Sequence, residues 1–159
     1  MEAYLIATAC TKFEKKADQT FKSLTEEVYC DLLKSAKVEN GNMIGQAWFG
    51  NCGMGTFGQN NIRGQVCFTP LVQKKLFPER VGIINVEGGC ATGSMAFHGA
   101  WKDVISGTED VSLAIGVEKI YQPNQPEKIQ EIYDGGIDQF DRNDWLSLIH
   151  ISEPTRPSS

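Results

Sequence analysis

The apolar positions of this 159-residue chain fall into short continuous runs separated by longer stretches with helical spacing. Four runs, bounded by polar or glycine-rich segments, predict buried strands at 3–10, 46–51, 81–87 and 111–117. Apolar residues that recur every three or four positions predict amphipathic helices at 24–37, 59–75 and 91–106. Because strands and helices alternate, we expect an α/β fold with a mostly parallel sheet and helices on both faces.

Local signals predict where the helices begin and end. Ser23 and Glu26 match the S-x-x-E pattern of a capping box, which places the start of the first helix beside them. Pro70 is expected to interrupt or end the second helix, since a proline removes a helical hydrogen bond. Gly107 is predicted to follow the third helix. A short helix is predicted at 126–133, within an acidic segment.

The composition is that of an ordinary globular domain, with 41% hydrophobic and 22% charged residues. The net charge of −5 argues against a nucleic-acid-binding surface, which requires a basic patch. No apolar run approaches the ~20 residues of a membrane-spanning helix, and no secretory signal follows the first methionine. We therefore expect no membrane span and a cytoplasmic location, or a peroxisomal one in a eukaryote.

The five cysteines are widely spaced and are expected to be reduced thiols. None belongs to a C-x-x-C pair, so no structural metal site is predicted. Most cysteines of this kind are small buried apolar residues. The positions are Cys10, Cys30, Cys52, Cys67 and Cys90.

The stretch 85–94, N-V-E-G-G-C-A-T-G-S, places Cys90 between a predicted buried strand and a predicted helix. A helix N-terminus offers unsatisfied N–H groups and a partial positive charge, and both favour a thiolate over a thiol. Gly88 and Gly89 permit a sharp turn, and Gly93 leaves room for a ligand or a neighbouring backbone. The arrangement resembles a nucleophile elbow. The alternative is a buried cysteine in a glycine-lined turn.

Neither histidine is an obvious base for Cys90. Eight residues of helix separate His98 from Cys90, a rise of ~12 Å against a hydrogen-bond reach of ~3 Å. We therefore expect His98 to be a surface or interface residue and the base to come from elsewhere. His150 belongs to the C-terminal tail discussed below.

Five short motifs occur in one order along the chain. C-A-T-G-S at Cys90 to Ser94 is similar to a known nucleophile motif, and together the five resemble the thiolase family. The other four resemble further motifs of the family. These are the opening strand with T-x-F at 4–13, the helix start G-Q-N-x-x-R at 58–63, the turn I-x-G-x-x-D at 105–110 and the G-V-E-K signature at 116–119. Within the family, C-A-T-G-S and G-V-E-K are most similar to the sterol-carrier-protein-type and archaeal-type thiolases.

The resemblance implies both a fold and a chemistry. The fold is the first of two similar α/β halves, each with a five-stranded sheet, of which four strands are expected here. Cys90 would accept an acyl group from an acyl-coenzyme A as a thioester, during thiolysis of 3-ketoacyl-coenzyme A or condensation of acetyl-coenzyme A, with its backbone N–H as an oxyanion donor. The coenzyme A thioester is then the substrate, no cofactor or metal is implied, and the enzyme forms a homodimer through the strand near 81–87.

The same resemblance divides the chain into three parts. Residues 1–117 correspond to an incomplete N-terminal half, 118–145 to the start of a loop domain, and 146–159 to a tail. The tail resembles the translation of a sequencing-library adaptor, so we expect it to be disordered and without function. The family's remaining catalytic residues lie in its C-terminal half. The chain is therefore expected to be a fragment that is inactive alone.

Two other functions stay open at this point. A cysteine hydrolase acting on thioesters would need a histidine close to Cys90 in space. A non-catalytic protein that binds lipid or coenzyme A would keep the fold without the chemistry. The full glycine setting of Cys90 speaks against the second of these.

Overall fold

The computed structural model describes residues 2–137 and 139–140, so the predicted tail at 146–159 and its His150 lie outside it. Short 3₁₀ turns at Gly53–Phe57 and Gly89–Ala91 follow the first and second strands. No helix in the described ranges is long and apolar enough to cross a membrane. The regular elements are, in order, α1 (Phe21–Ala36), β1 (Gln46–Gly50), α2 (Arg63–Gln73), β2 (Gly82–Val86), α3 (Thr92–Ile105), β3 (Ser112–Gly116) and α4 (Lys128–Asp134).

The three strands form one parallel sheet in the order β2–β1–β3. Gln46 at the start of β1 pairs with Gly82 on one side and with Ser112 on the other. The central strand is therefore hydrogen-bonded along both edges, while β2 and β3 are the edge strands of the sheet that the described residues form. The predicted α/β class with a parallel sheet is confirmed.

Helices cover both faces of the sheet. Trp48 and Phe49 are neighbours in β1, so their side chains point to opposite faces. A Cβ atom on Gly64 of α2 would lie 2.7 Å from the Cβ of Phe49, and one on Gly99 of α3 would meet the ring of Trp48. The two helices therefore pack directly on opposite sides of β1, as the alternation of elements predicts.

The predicted strand at 3–10 is wrong, and the described part of the chain has three strands instead of four. Both edges of β1 are occupied by β2 and β3, and the segment pairs with neither outer edge of the described sheet. The side chains of Tyr4, Leu5 and Ile6 are 76%, 69% and 69% exposed. With residues of α1, α3 and β3, the segment lines a groove of about 350 Å³. An apolar run indicates a tendency to be buried, but it does not identify a strand partner.

The start of α1 also differs from the prediction. Thr20 is the N-cap, and its Oγ1 accepts the Ser23 N–H over 3.1 Å. In return, the Thr20 N–H donates to the Ser23 hydroxyl over 2.8 Å. The capping box is present, but Ser23 closes it in place of Glu26, because a serine hydroxyl can accept the same N–H as a carboxylate.

Pro70 lies inside α2 and does not end it. Its neighbours Phe68 and Leu71 are fully buried, so core packing holds the turn in which the proline removes one hydrogen bond. Gly107 follows α3 with φ of +73° and donates its N–H to the Val104 carbonyl, which confirms its predicted place.

The core between the sheet, α1 and α2 is rich in aromatic rings. Tyr29, Phe68 and Phe77 meet pairwise edge to face, with ring centroids 4.5–5.9 Å apart. Phe49 of the central strand joins them at 6.3 Å from Phe68. The buried Tyr29 hydroxyl donates to the Leu76 carbonyl over 3.1 Å, so the ring brings no unpaired polar atom into the core. This core fixes the sheet whose strand ends carry the site.

Candidate active site

Cys90 lies on the sharp turn that joins the end of β2 to the start of α3. The 3₁₀ turn Gly89–Ala91 carries it, and α3 begins at the next-but-one residue, Thr92. Gly89 has φ of +56°, a conformation in which a side chain would be strained. The Cys90 thiol is free and exposed, which does not fit the alternative of a buried cysteine.

Side-chain hydrogen bonds hold this turn on both sides. The Thr92 hydroxyl accepts the Gly88 N–H over 2.9 Å and donates to the Gly89 carbonyl over 2.8 Å. The Glu87 carboxylate accepts the Gly89 N–H over 2.7 Å. The Ala91 N–H closes the turn onto the Gly88 carbonyl over 3.0 Å. The backbone that presents Cys90 is thus fixed before any ligand binds.

The end of β1 lies directly against the start of α3. A Cβ atom on Gly50 would lie 3.0 Å from Cγ2 of Thr92 and 3.3 Å from its carbonyl oxygen. Only a residue without a side chain permits this close approach. Gly50 therefore sets how near Thr92, and with it the nucleophile turn, lies to the sheet.

Cys52 contacts the nucleophile turn, which the sequence did not reveal. Its Sγ lies 3.2 Å from the Gly89 carbonyl oxygen, to which it donates, and 3.0 Å from Oγ1 of Thr92. The pKa of the Cys52 thiol is raised, chiefly by partial burial; the hydrogen bond with Thr92 acts against this rise, and the nearby carboxylates of Glu118 and Glu87 add to it. Near neutral pH, Cys52 is therefore a protonated hydrogen-bond donor.

Glu118, just after β3, anchors the loop that carries Cys52. Its carboxylate accepts the N–H groups of Cys52 over 2.9 Å and of Gly53 over 3.1 Å. It also accepts the side-chain amide of Asn51 over 3.2 Å, and that amide donates to the Val117 carbonyl over 2.7 Å. The glutamate of the G-V-E-K motif thus joins the ends of β1 and β3.

Two further polar side chains hold the start of α2, one to the loop after β1 and one to β2. The Arg63 guanidinium donates to the Asn51 carbonyl over 2.6 Å. Asn85 of β2 accepts the Gly64 N–H over 2.6 Å, which satisfies one of the free N–H groups at the start of α2. The arginine of the G-Q-N-x-x-R motif therefore supports the loop after β1. This hydrogen bond does not involve Cys90.

His98 lies on the exposed side of α3, stacked on the ring of Trp101 with centroids 5.3 Å apart. This confirms the expectation that it is a surface residue. The described residues contain no group of three His, Cys, Asp or Glu side chains that could hold a metal ion.

One signal in the sequence indicates the edge of the sheet at which Cys52 and Glu118 lie, but not which residues they contact. Both residues come directly after predicted strands, at 46–51 and 111–117. In the structure each lies two positions beyond a strand end, after β1 and after β3. The carboxyl ends of parallel strands meet at one edge of the sheet, where sites of α/β proteins form. Strand order, which the sequence does not give, decides which of these ends are neighbours.

Fold and site together define a class of protein. An exposed thiol on a strand-to-helix turn, in an α/β domain with a parallel sheet, is an arrangement typical of enzymes that use a side chain as a nucleophile. The comparisons with known proteins narrow this class.

A family model described as the thiolase N-terminal domain matches residues 3–146. The chain therefore belongs to the thiolase family, as its motifs predict. It is similar to the benzoylsuccinyl-CoA thiolase subunit BbsB of Thauera aromatica, with 32% identity over 117 residues. It is equally similar, at 32% identity over 117 residues, to an acetyl-CoA acetyltransferase of Methanocaldococcus jannaschii. These matches cover 74% and 73% of this chain but only 28% of the length of each relative.

Proposed function

We propose that Cys90 is the acyl-accepting nucleophile of a thiolase-type acyltransferase. The observation that carries the proposal is the place of Cys90: an exposed thiol on a glycine turn at the carboxyl end of β2, within the C-A-T-G-S motif of a thiolase N-terminal domain. The start of α3 adds the partial positive charge of a helix N-terminus, which favours a thiolate.

In the proposed reaction, the Cys90 thiolate attacks the carbonyl carbon of an acyl thioester. A new C–S bond forms and the bond to coenzyme A breaks, so the acyl group becomes an enzyme thioester and coenzyme A leaves as a thiolate that takes up a proton. In thiolysis of a 3-ketoacyl thioester, a carbon–carbon bond breaks instead, and the leaving acetyl-coenzyme A carbanion is protonated. The Cys90 N–H would stabilise the oxyanion of the intermediate. The substrate is a coenzyme A thioester, and we propose no further cofactor.

The chain alone is proposed to be inactive in turnover. It spans about 28% of the length of the relatives, and its described histidine, His98, lies on the surface of α3. The purified 159-residue chain should give no measurable thiolysis of acetoacetyl-coenzyme A. Measurable thiolysis would contradict this part of the proposal.

The nucleophile itself can be tested without turnover. Brief treatment of the chain with iodoacetamide near neutral pH should label Cys90 faster than the other four cysteines, as followed by mass spectrometry of the separated peptides. Exposed Cys10 is the matched comparison, because access alone would label both at the same rate. In a Cys90→Ser variant the fast phase should disappear. Labelling of Cys90 no faster than of Cys10 would sink the proposal of an activated thiol.

We further propose that the whole protein pairs as a homodimer through β2. This strand lies at the edge of the described sheet, and the side chain of Ile84 is 38% exposed. An exposed edge with apolar side chains is suited to pairing with a second copy. An Ile84→Lys variant of the whole protein should sediment as a monomer, and an unchanged dimer would refute the proposal.

The five free cysteines support a reducing compartment, for which we propose the cytoplasm, or the peroxisome in a eukaryote.

A further inference from the structure

The Gly89 carbonyl is held by two side chains from different parts of the chain. The Thr92 hydroxyl donates to it over 2.8 Å from the start of α3. The Cys52 thiol donates to it over 3.2 Å from the loop after β1. The two side chains also lie 3.0 Å from each other, Sγ to Oγ1. We call Cys52 and Thr92 together the Gly89 clamp.

The clamp acts on the same peptide unit as the Cys90 N–H. The Gly89 carbonyl and the Cys90 N–H belong to one planar trans amide, in which they point in opposite directions. Fixing the direction of the carbonyl therefore fixes the direction of the N–H. Hydrogen bonds to the carbonyl also polarise the amide and strengthen its N–H as a donor. The clamp thus controls the group that the proposed reaction uses to stabilise negative charge.

Cys52 is itself held from a third element. Its backbone N–H donates to the Glu118 carboxylate over 2.9 Å, and the neighbouring Gly53 N–H donates to the same carboxylate over 3.1 Å. The loop that carries Cys52 is therefore tied to the end of β3. Because the Cys52 thiol is already held in place, substrate binding does not have to include the entropy cost of ordering it.

We infer that Cys52 is a positioning residue, which with Thr92 aims the Cys90 N–H at the developing oxyanion. The inference rests on the proposed nucleophilic role of Cys90. It predicts a selective effect. Acylation of Cys90 passes through an oxyanion and needs the aimed N–H, whereas alkylation by iodoacetamide forms no oxyanion and does not.

The test compares these two reactions at Cys90 in the full chain. The acylating probe is phenyl thioacetate, and the alkylating probe is iodoacetamide, with rates read by mass spectrometry of the Cys90 peptide relative to the Cys10 peptide. The Cys52→Ala variant should acylate at Cys90 about fivefold more slowly, the effect of losing one weak hydrogen bond, while alkylation changes less than about twofold. Thr92→Val, which loses the hydroxyl without a large change in shape, should slow acylation about tenfold or more.

Two further variants test whether a change in folding alone could explain the loss of acylation. Cys52→Ser keeps a donor at this position and should recover most of the acylation rate. Cys30→Ala removes another half-buried thiol far along the chain, on α1, and should leave both rates unchanged. Circular dichroism spectra of all variants check that the fold is kept.

The outcomes separate the inference from the proposed function. Equal losses of acylation and alkylation in Cys52→Ala, or no loss in either, would overturn the positioning role. A Cys90 that acylates no faster than Cys10 in the unchanged chain would instead refute the nucleophile, and with it the inference. Selective loss of acylation, with recovery in Cys52→Ser, is the result expected.

Discussion

Removal of the Asp103 carboxylate should destabilise the domain, because this group joins three elements. Oδ2 of Asp103, near the end of α3, accepts the indole N–H of Trp48 in β1 over 2.7 Å. The same oxygen accepts the Ser112 hydroxyl of β3 over 2.8 Å. These bonds fix the far end of the helix whose beginning carries the nucleophile turn. An Asp103→Ala variant loses both and leaves the two donors without this acceptor.

The size of the effect follows from the number and kind of bonds lost. Hydrogen bonds to charged groups contribute about 1.5–3 kcal/mol each. Asp103 is half-buried, so water can reach part of the site and replace part of the loss. We therefore expect Asp103→Ala to lower the free energy of unfolding by about 2–4 kcal/mol, a large part of the ~5–15 kcal/mol typical of a domain.

Urea unfolding followed by far-ultraviolet circular dichroism measures this change. The midpoint should fall while the dependence on urea stays the same, since the native surface area is unchanged. Asp31→Ala is the matched control, because Asp31 forms an exposed ion pair with Lys34 over 2.8 Å. Such pairs contribute less than ~1 kcal/mol.

A double-mutant cycle with Trp48→Phe isolates the bond to the indole. The two changes should be non-additive by about 1–2 kcal/mol, because the single variants remove the same bond. If Asp103→Ala costs no more than Asp31→Ala, or if the cycle shows no coupling, the reasoning from these contacts is refuted.

Three further predictions concern single groups. The Lys16 ammonium and the Gln19 amide bind the Glu27 carboxylate and lower its pKa. The unchanged chain should therefore be more stable than a Glu27→Gln variant above pH ~4.5, and this difference should be lost as the pH falls through the lowered pKa of Glu27. Thermal unfolding of both proteins measures the difference. The methyl group of a Gly89→Ala variant would meet no atom within 4 Å, but it would force a side chain into a backbone conformation with positive φ. The variant should therefore lower the free energy of unfolding by about 1 kcal/mol. A Gly93→Ala variant, at an open position of helix α3, should show no such loss in the same urea assay. Burial raises the pKa of the Cys67 thiol, so Cys67 should react with iodoacetamide only after urea unfolding; labelling of Cys67 in the native chain at the rate of Cys10 would contradict its place in the core.

The pattern of apolar residues predicted most of the fold but not all of it. The runs at 46–51, 81–87 and 111–117 contain β1, β2 and β3. The prediction that all three strands are buried is wrong for β2, which lies at an edge of the described sheet and has no fully buried residue. The run at 3–10 looks the same and is not a strand. Strand pairing is a property of the whole sheet, and no single run contains it.

The sequence predicted the nucleophile of the candidate site but not the residues that support it. Cys90 stood out because glycines and a strand-to-helix junction surround it in the sequence. Cys52 lies 37 residues away from Gly89, the residue whose carbonyl it contacts. Glu118 lies 66 residues from Cys52. No local signal links residues so far apart, and only the strand order makes them neighbours.

The register of the sheet explains why these three elements meet at the nucleophile. Gly50 of β1 pairs with Val86 of β2 and with Gly116 of β3, so the three strands end at the same height. Two residues beyond each end stand Cys52, Gly88 and Glu118. This equal offset brings the thiol, the glycine turn and the carboxylate to one level of the sheet. An insertion of one residue directly after Gly50 would move Cys52 out of this level while leaving the Cys90 motif intact, so the site depends on loop length as much as on the cysteine itself.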